Sequence, residues 1–162
     1  KKNDALIAIG KGSQFGSSLN LFIEEISMKK SVPFESVWVD NRILPKSVPN
    51  WMKSATFERP MYERISAAII RPGVGTATDA ILAGAKIFAF YEDSNFEMME
   101  NAFCLEKMNL GRNSKYISAA WQMALEYNTD KKQQDCHKKI ISKLSPSGAD
   151  DVAKTICKNL KN

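Results

Sequence analysis

Residues 67–90 have the sequence AAIIRPGVGTATDAILAGAKIFAF, which contains a strand, a glycine-rich turn, a helix and a second strand. Residues 67–70 are all apolar, as expected for a strand that is buried on both faces of a sheet. Gly73 and Gly75 follow this strand, and Gly84 is placed to end the helix. A helix between two apolar strands is the pattern expected of a parallel α/β sheet.

The same alternation of apolar runs and helical periodicity extends in both directions along the chain. Strands are predicted at residues 5–9, 34–39, 55–58, 67–70 and 87–90. Helices are predicted at residues 19–26, 61–65, 77–83, 96–108, 115–127, 131–144 and 148–160. The predicted fold class is therefore α/β, a Rossmann-like doubly wound parallel sheet. Residues 1–162 form a single domain in this prediction, with a C-terminal helical tail at about residues 115–162.

Two glycine-rich turns each follow a predicted strand and precede a helix. The first is Gly10-Lys11-Gly12-Ser13-Gln14-Phe15-Gly16, and the second is Pro72-Gly73-Val74-Gly75-Thr76. In a doubly wound sheet, ligands bind at the carboxyl ends of strands where the winding reverses. We expect the turns at Gly12 and Gly73 to lie side by side there, because glycine and helix N-termini together suit a phosphate group.

Three segments of the sequence resemble the C-terminal, donor-binding domain of GT-B-fold glycosyltransferases. They are the Gly12-Ser13-Gln14 turn, residues 71–90, and the segment from Asn95 through Asn101-Ala102 to Gly111. The likeness is greatest to glycosyltransferase family 28, the bacterial peptidoglycan N-acetylglucosaminyltransferase family. It covers most of residues 5–111, whereas the helical tail matches only in general character.

The resemblance implies a set of residues that contact a UDP-sugar donor. Thr76 and the backbone of the second turn would bind the diphosphate, and Asp79 would bind the ribose, in place of the glutamate of the family. Asn95 and Glu97 would face the hexose. The complete implied set of donor-binding residues is Gly12, Ser13, Gln14, Gly73, Val74, Gly75, Thr76, Asp79, Asn95 and Glu97.

The function implied by the resemblance is transfer of a hexose or N-acetylhexosamine from a UDP-sugar to an unidentified acceptor. Enzymes of this kind carry the catalytic base on an N-terminal acceptor domain, so we name no catalytic residue here. The chain begins with Lys1 rather than methionine, and we expect that acceptor domain upstream. The isolated domain is expected to be inactive, and no cofactor or metal ion is expected beside the donor.

Three alternatives remain open from the sequence. Thr76 and Asp79 have the spacing of a helix capping box, which would explain both residues without a ligand. Asp40 follows the second predicted strand, as does the ribose-binding acid of a NAD- or nucleotide-binding Rossmann module that transfers no sugar. A third alternative is a naturally separate donor-binding subunit that docks onto a membrane-anchored partner.

The net charge and the cysteines limit which binding partners and which cellular compartment are expected. The net charge is +5, but the lysines occur in scattered pairs, which favours solvated lysines over a lipid-binding patch, and both over a nucleic-acid site. Three cysteines without metal-ligand spacing favour free thiols in a reducing compartment. We therefore expect a cytoplasmic protein, with peripheral association at the inner face of a membrane as an option for the full-length protein.

Two further residues carry expectations of their own. Arg71 is expected to pair with an acid, and His137, in a polar helix, is expected at the surface.

Overall fold

The computed structural model describes residues 2–10 and 17–144. Six strands alternate with helices along this part of the chain. The strands are β1 (Asp4–Ala8), β2 (Val37–Val39), β3 (Met52–Ser54), β4 (Ile65–Ile70), β5 (Lys86–Phe90) and β6 (Gly111–Ser114). The helices are α1 (Ser17–Ser27), α2 (Arg59–Tyr62), α3 (Val74–Leu82), α4 (Phe96–Lys107), α5 (Ile117–Thr129) and α6 (Lys131–Ile141), with a 3₁₀ turn at Asn41–Ile43.

The strands form one parallel sheet in the order β3-β2-β1-β4-β5-β6. The chain winds outward from β1 to β3 in one direction and from β4 to β6 in the other. The winding therefore reverses between β1 and β4, which are hydrogen-bonded neighbours. This is the doubly wound Rossmann-like order, in which a crevice opens above the reversal point.

Apolar cores cover both faces of the sheet, because alternate side chains of each strand point to opposite sides. On one face Ile7, Ile69 and Phe88 pack with residues of α1 and α5. On the other face Leu6, Ile70 and Ile87 pack with residues of α3 and α4. The central strands are thus buried on both sides, as their uninterrupted apolar sequence predicted.

The edge strands differ most from the sequence prediction. Residues 111–114, which were not predicted as a strand, form β6 because Gly111 lets this segment approach β5. A Cβ atom at Gly111 would lie 2.8 Å from the carbonyl oxygen of Ile87. At the other edge β3 occupies Met52–Ser54 rather than residues 55–58, and β2 is limited to Val37–Val39. The predicted helix at residues 148–160 lies outside the described residues.

The expectation that His137 lies at the surface is wrong. Its side chain is 1% exposed, because α6 packs its ring edge-on against Tyr127 of α5 with 6.1 Å between ring centroids. Burial, followed by the charge of Lys86, lowers the pKa of His137 to about 4. The imidazole is therefore neutral at physiological pH.

Candidate functional site

The carboxyl ends of β1 and β4 lie side by side at the point where the winding reverses. Ala8 is paired with Ile70, and the backbone N–H of Arg71 donates to the carbonyl of Ala8 at 3.0 Å. Both glycine-rich turns therefore leave the same edge of the sheet from neighbouring strands. Of the first turn, Gly12, Ser13 and Gln14 lie outside the described residues, whereas the second turn is described completely.

The N-terminus of α3 is open. Gly73 is its N-cap and supplies no side chain, and the first hydrogen bond within the helix runs from Ala77 N to Gly73 O at 3.0 Å. The N–H groups of Val74, Gly75 and Thr76 thus have no partner inside the helix. The capping-box interpretation is wrong, because Thr76 lies within the first turn rather than at the N-cap.

The glycines of this turn are not required by packing. No described atom lies within 4 Å of a Cβ atom built at Gly73 or Gly75, and both residues have negative φ. Gly75 lies inside the first turn of α3, where glycine is less favourable than alanine by about 0.5–1 kcal/mol. None of the described residues fills the space above the turn, which leaves room for a ligand to approach the backbone closely.

Two side-chain contacts hold this turn in place. Arg71 is buried, and its Nε donates to Glu92 Oε2 at 3.0 Å, which joins the turn after β4 to the turn after β5. The expected pairing of Arg71 with an acid is thus confirmed. Asn101 of α4 donates from Nδ2 to the carbonyl of Pro72 at 3.0 Å. The position of the open helix start is therefore fixed from two sides.

Asp79 lies one turn further along α3, in a cavity of about 640 Å³ between α2 and α3. It is exposed and shares this cavity with Phe57, whose ring is 40% exposed. The backbone of Phe57 has φ 55, an uncommon conformation for a residue with a large side chain. The sequence prediction missed Phe57, because nothing in its local pattern marks a loop aromatic held at positive φ.

Tyr62 forms part of the wall of the same cavity. Burial, together with the negative charge of Asp79, raises the pKa of Tyr62 to about 12. The phenol therefore stays protonated and retains a hydroxyl donor close to the carboxylate. The cavity thus combines an aromatic face, an ionised acid and a hydroxyl group.

Asn95 and Glu97 lie at the start of α4. Asn95 is the N-cap of this helix, and its Oδ1 accepts from the backbone N–H of Met98 at 3.0 Å. The cap of α4 is therefore Asn95 and not the preceding residue, Ser94. The side-chain amide of Asn95 is not used by this cap, and Glu97 is exposed.

A second cavity of about 570 Å³ lies at the same edge, between the first turns of α1 and α5. Glu92 and Asp93 line it, and Asp93 pairs with Lys115 at 3.0 Å. Tyr116 borders it with 70% of its side chain exposed. Because Glu92 also contacts Arg71, this cavity adjoins the turn that leads into α3.

The rival acid, Asp40, is engaged by its own turn. It is 1% exposed, and its two carboxylate oxygens accept from Nε and Nη2 of Arg42 at 2.9 and 2.5 Å. The backbone N–H of Arg42 adds a third contact at 3.1 Å. Although burial opposes the charge, these contacts with Arg42 hold the pKa of Asp40 below its usual value. Asp40 therefore serves mainly to build the turn after β2.

Neither a metal site nor a membrane span is found in residues 2–10 and 17–144. No group of three or more His, Cys, Asp or Glu side chains there could hold a metal ion. None of the helices in those ranges is long and apolar enough to cross a bilayer. Cys104 and Cys136 are both exposed, free thiols.

The fold is similar to that of several glycosyltransferases of known structure. The calicheamicin glycosyltransferase CalG4 matches 100% of this chain with a TM-score of 0.65 and 14% sequence identity. The spinosyn rhamnosyltransferase SpnG, in complex with spinosyn aglycone, matches 99% with a TM-score of 0.65 and 15% identity. SnogD from Streptomyces nogalater matches 96% with a TM-score of 0.62 and 15% identity. No family model and no curated protein matches the sequence.

These similarities establish the fold. The expected α/β class, a Rossmann-like parallel sheet that forms one half of a GT-B fold, is confirmed. The chain spans 45%, 46% and 44% of the three glycosyltransferase chains it matches. At identities of 11–15%, membership of family 28 in particular stays a prediction.

Proposed function

We propose that this chain is the donor-binding half of a two-domain glycosyltransferase. In this proposal it holds a UDP-sugar, and the whole enzyme transfers a hexose or N-acetylhexosamine to an acceptor bound by an N-terminal domain. That domain also supplies the catalytic base, so the half described here binds the donor without completing the reaction.

The open start of α3 is the observation that carries this function. Three backbone N–H groups point out of the helix at the reversal point of the sheet, above glycines that packing does not require. Such a helix start binds anions through its N–H groups and its partial positive charge. A diphosphate fits this chemistry, with Thr76 adding a hydroxyl group and the turn at Gly12, Ser13 and Gln14 approaching from β1.

The neighbouring cavity suits a nucleoside attached to that diphosphate. Asp79 can accept hydrogen bonds from two adjacent ribose hydroxyls, since an ionised carboxylate has two acceptor oxygens. Phe57 offers an exposed aromatic face on which a base can stack. The uracil ring would therefore lie toward α2 and the phosphates toward the start of α3.

The hexose would extend from the phosphates in the opposite direction, toward the turn after β5. In this arrangement the side-chain amide of Asn95 and the carboxylate of Glu97 contact sugar hydroxyls. Glu92, which is paired with Arg71, fixes the relative position of the phosphate turn and the sugar turn.

The contribution of this domain to the reaction is positional and electrostatic. The acceptor hydroxyl or amine attacks the anomeric carbon and gives its proton to the base of the N-terminal domain. The bond from the anomeric carbon to the diphosphate oxygen breaks, and the leaving diphosphate gains negative charge. N–H groups already oriented toward that position stabilise the developing charge without reorganisation. Fixing the donor also removes part of the entropic barrier to attack.

Ligand-dependent melting tests this function. UDP, UDP-glucose, UDP-N-acetylglucosamine and NAD are each titrated while the melting temperature of the chain is followed. A ligand at 100 times its Kd stabilises the folded state by about 2.7 kcal/mol. We expect UDP and at least one UDP-sugar to raise the melting temperature, and NAD to have no effect.

The outcome that contradicts the proposal is stabilisation by NAD without stabilisation by UDP. It would favour the dinucleotide-binding module, an alternative that draws support from the position of Asp40 at the end of β2. The engagement of both Asp40 oxygens by Arg42 is the reason we rank that alternative second.

A further inference from the structure

A third cavity lies at the opposite edge of the sheet, where the strands begin. It has a volume of about 370 Å³ and lies between the first residues of β1 and β4 and the two helices α5 and α6. Pockets for organic ligands start at about 300 Å³, so this one exceeds the space needed by an ion alone. It is separated from the open start of α3 by the length of the strands.

Positive charge dominates this cavity. Lys2, Lys131 and Lys138 all line it, and no carboxylate is among the described residues that line it. Asp135, beside the cavity, pairs with both Lys131 and Lys138 at 3.3 and 3.4 Å. One carboxylate thus serves two lysines, and the balance of nearby charge is positive.

Lys2 is the least compensated of the three lysines. Its Nζ donates to the carbonyl of Ala83, at the C-terminal end of α3, rather than to a carboxylate. Burial lowers the pKa of Lys2 more than the distant charge of Glu63 raises it. An ammonium group in this position gains from an anion that enters the cavity.

His137 lies in the wall of the cavity and adds a second, independent observation. It is 1% exposed, and neither imidazole nitrogen has a partner with the distance and angle of a hydrogen bond, although the carbonyls of Gly84 and Ala85 lie close to the ring. Lys86 further disfavours the protonated ring, whereas the carbonyls of Gly84 and Ala85 favour it. A buried polar group without a partner costs about 1–3 kcal/mol, so its presence at a cavity calls for an explanation.

We propose that this cavity binds an anionic phosphate group carried by a small organic molecule or a lipid headgroup. Lys2, Lys131 and Lys138 would surround the phosphate, since ammonium groups bind phosphate oxygens as point charges. Ser66 and Asn128 line the cavity beside them and bring neutral polar groups suited to the organic portion. An anion in the cavity would also favour the protonated imidazole of His137, which burial and then the charge of Lys86 disfavour. This site shares no lining residue with the cavity beside Asp79, although the two are linked where Lys2 donates to the carbonyl of Ala83, which lines that cavity.

NMR can follow His137 without overlap from other imidazole groups, because His137 is the only histidine in the sequence. The imidazole proton resonances are followed by NMR through pH titrations with inorganic phosphate, glycerol phosphate, or chloride at matched ionic strength. We expect both phosphates, but not chloride, to move the pKa of His137 upward from about 4. Equal behaviour in phosphate and chloride would overturn the proposal.

Two variants locate the effect. The double variant Lys131→Met/Lys138→Met removes two of the lining charges and is expected to weaken phosphate binding about tenfold. Lys139→Met changes an exposed lysine of α6 that does not line the cavity, and it should bind phosphate as the unchanged protein does. Equal affinity in the double variant and the Lys139→Met control would also overturn the proposal.

Vesicles distinguish the two sources of the phosphate. Sedimentation is compared with phosphatidylcholine vesicles and with vesicles that also contain phosphatidylglycerol. Recruitment by the anionic vesicles that is lost in the double variant identifies a lipid headgroup as the source. A phosphate-dependent shift of His137 without recruitment identifies a soluble phosphorylated molecule. Recruitment that persists in the double variant, without any effect of soluble phosphates on His137, counts against the site.

Discussion

Two turns at the carboxyl edge of the sheet each hold an arginine paired with an acid, but only after β2 is the candidate ribose-binding acid the one that is paired. After β2, Asp40 is buried and binds Arg42 of its own 3₁₀ turn. After β4, Arg71 binds Glu92 from the next turn, and Asp79 remains exposed in a cavity. The carboxylate in the turn after β2 is thus already hydrogen-bonded within that turn. After β4, the carboxylate of Asp79 and the first backbone N–H groups of α3 are left available to a ligand.

This difference helps to choose between Asp40 and Asp79 as the acid that binds a ribose. Both follow a strand, and both could bind a ribose by their position in a Rossmann-like fold. Asp40 is 1% exposed and already accepts three hydrogen bonds from Arg42, so a ligand could reach its remaining acceptor site only if the turn opened. We therefore propose the ligand at the turn after β4, which is held in place by contacts that the ligand need not break.

Loss of Arg71 should have the largest effect on stability. Arg71→Met leaves Glu92, which is 19% exposed, without its cationic partner, so we expect a loss of about 3 kcal/mol in the free energy of unfolding. Adding Glu92→Gln should restore part of the lost free energy of unfolding, because it removes the unpaired carboxylate. Urea denaturation measures both changes. Arg59→Met, which breaks an exposed pair with Glu63, is the control and should cost under about 1 kcal/mol. A loss for Arg71→Met no greater than this control would show that the turn is not held by the ion pair.

Replacing the two acids tests the comparison directly. Asp79→Ala should weaken UDP binding by about 1.5–3 kcal/mol, the range for hydrogen bonds to a charged group, with little change in stability. Asp40→Ala should leave UDP affinity unchanged and destabilise the fold by about 1–3 kcal/mol, since it strips the turn of its cap. Isothermal titration and urea denaturation give the two quantities. The reverse order of UDP affinities would transfer the ribose site to Asp40 and favour the dinucleotide module.

Filling the open space at the start of α3 should separate stability from binding. Gly75→Ala adds a Cβ atom with no described neighbour within 4 Å and improves helix propensity, so stability should rise by about 0.5–1 kcal/mol. The same methyl group would crowd a bound diphosphate, and UDP affinity should fall by about 1 kcal/mol. Thr78→Ala, at an exposed position of α3, is the matched control and should leave UDP affinity unchanged. If Gly75→Ala binds UDP as tightly as the unchanged protein, the diphosphate does not lie against this turn.

The central strands and the second glycine-rich turn could be predicted because the determining signals are local. Apolar runs and the glycines at residues 73 and 75 specify a buried parallel strand followed by a helix. β4 includes the predicted residues 67–70, and α3 begins at Val74, three residues before its predicted start. The pairing of Arg71 with an acid was also foreseeable, since an arginine at a strand end needs a partner when buried. Edge strand β6 could not be predicted, because three of its four residues are polar. Only the close approach of Gly111 to Ile87 in the structure shows it.

The errors concern features that depend on contacts distant in the sequence. His137 is flanked by charged residues, and only the packing of α6 against Tyr127 buries it. Phe57 is one of many loop residues until its backbone is seen at φ 55 beside Asp79. Thr76 and Asp79 fit a capping box by spacing, yet the helix begins earlier because Val74 and Gly75 already adopt helical geometry. Sequence patterns thus indicated the candidate residues, whereas the burial and contacts of each side chain followed from tertiary structure.

The pH dependence of stability is the smallest effect we expect and the last test of the two acids. Arg42 lowers the pKa of Asp40 in the folded protein, so the unfolded chain binds a proton there at higher pH than the folded one. The contribution of Asp40 is then complete above its unfolded pKa and is lost as pH falls through the folded pKa. Asp40→Asn should therefore reduce the loss of stability at acid pH, measured by urea denaturation at a series of pH values.

In this comparison His137 is replaced by Gln in both proteins, because its own lowered pKa makes stability fall as the pH decreases from 6.5 to about 4. An unchanged loss of stability at acid pH in the Asp40→Asn protein would mean that Asp40 titrates alike in both states and is not committed to its turn.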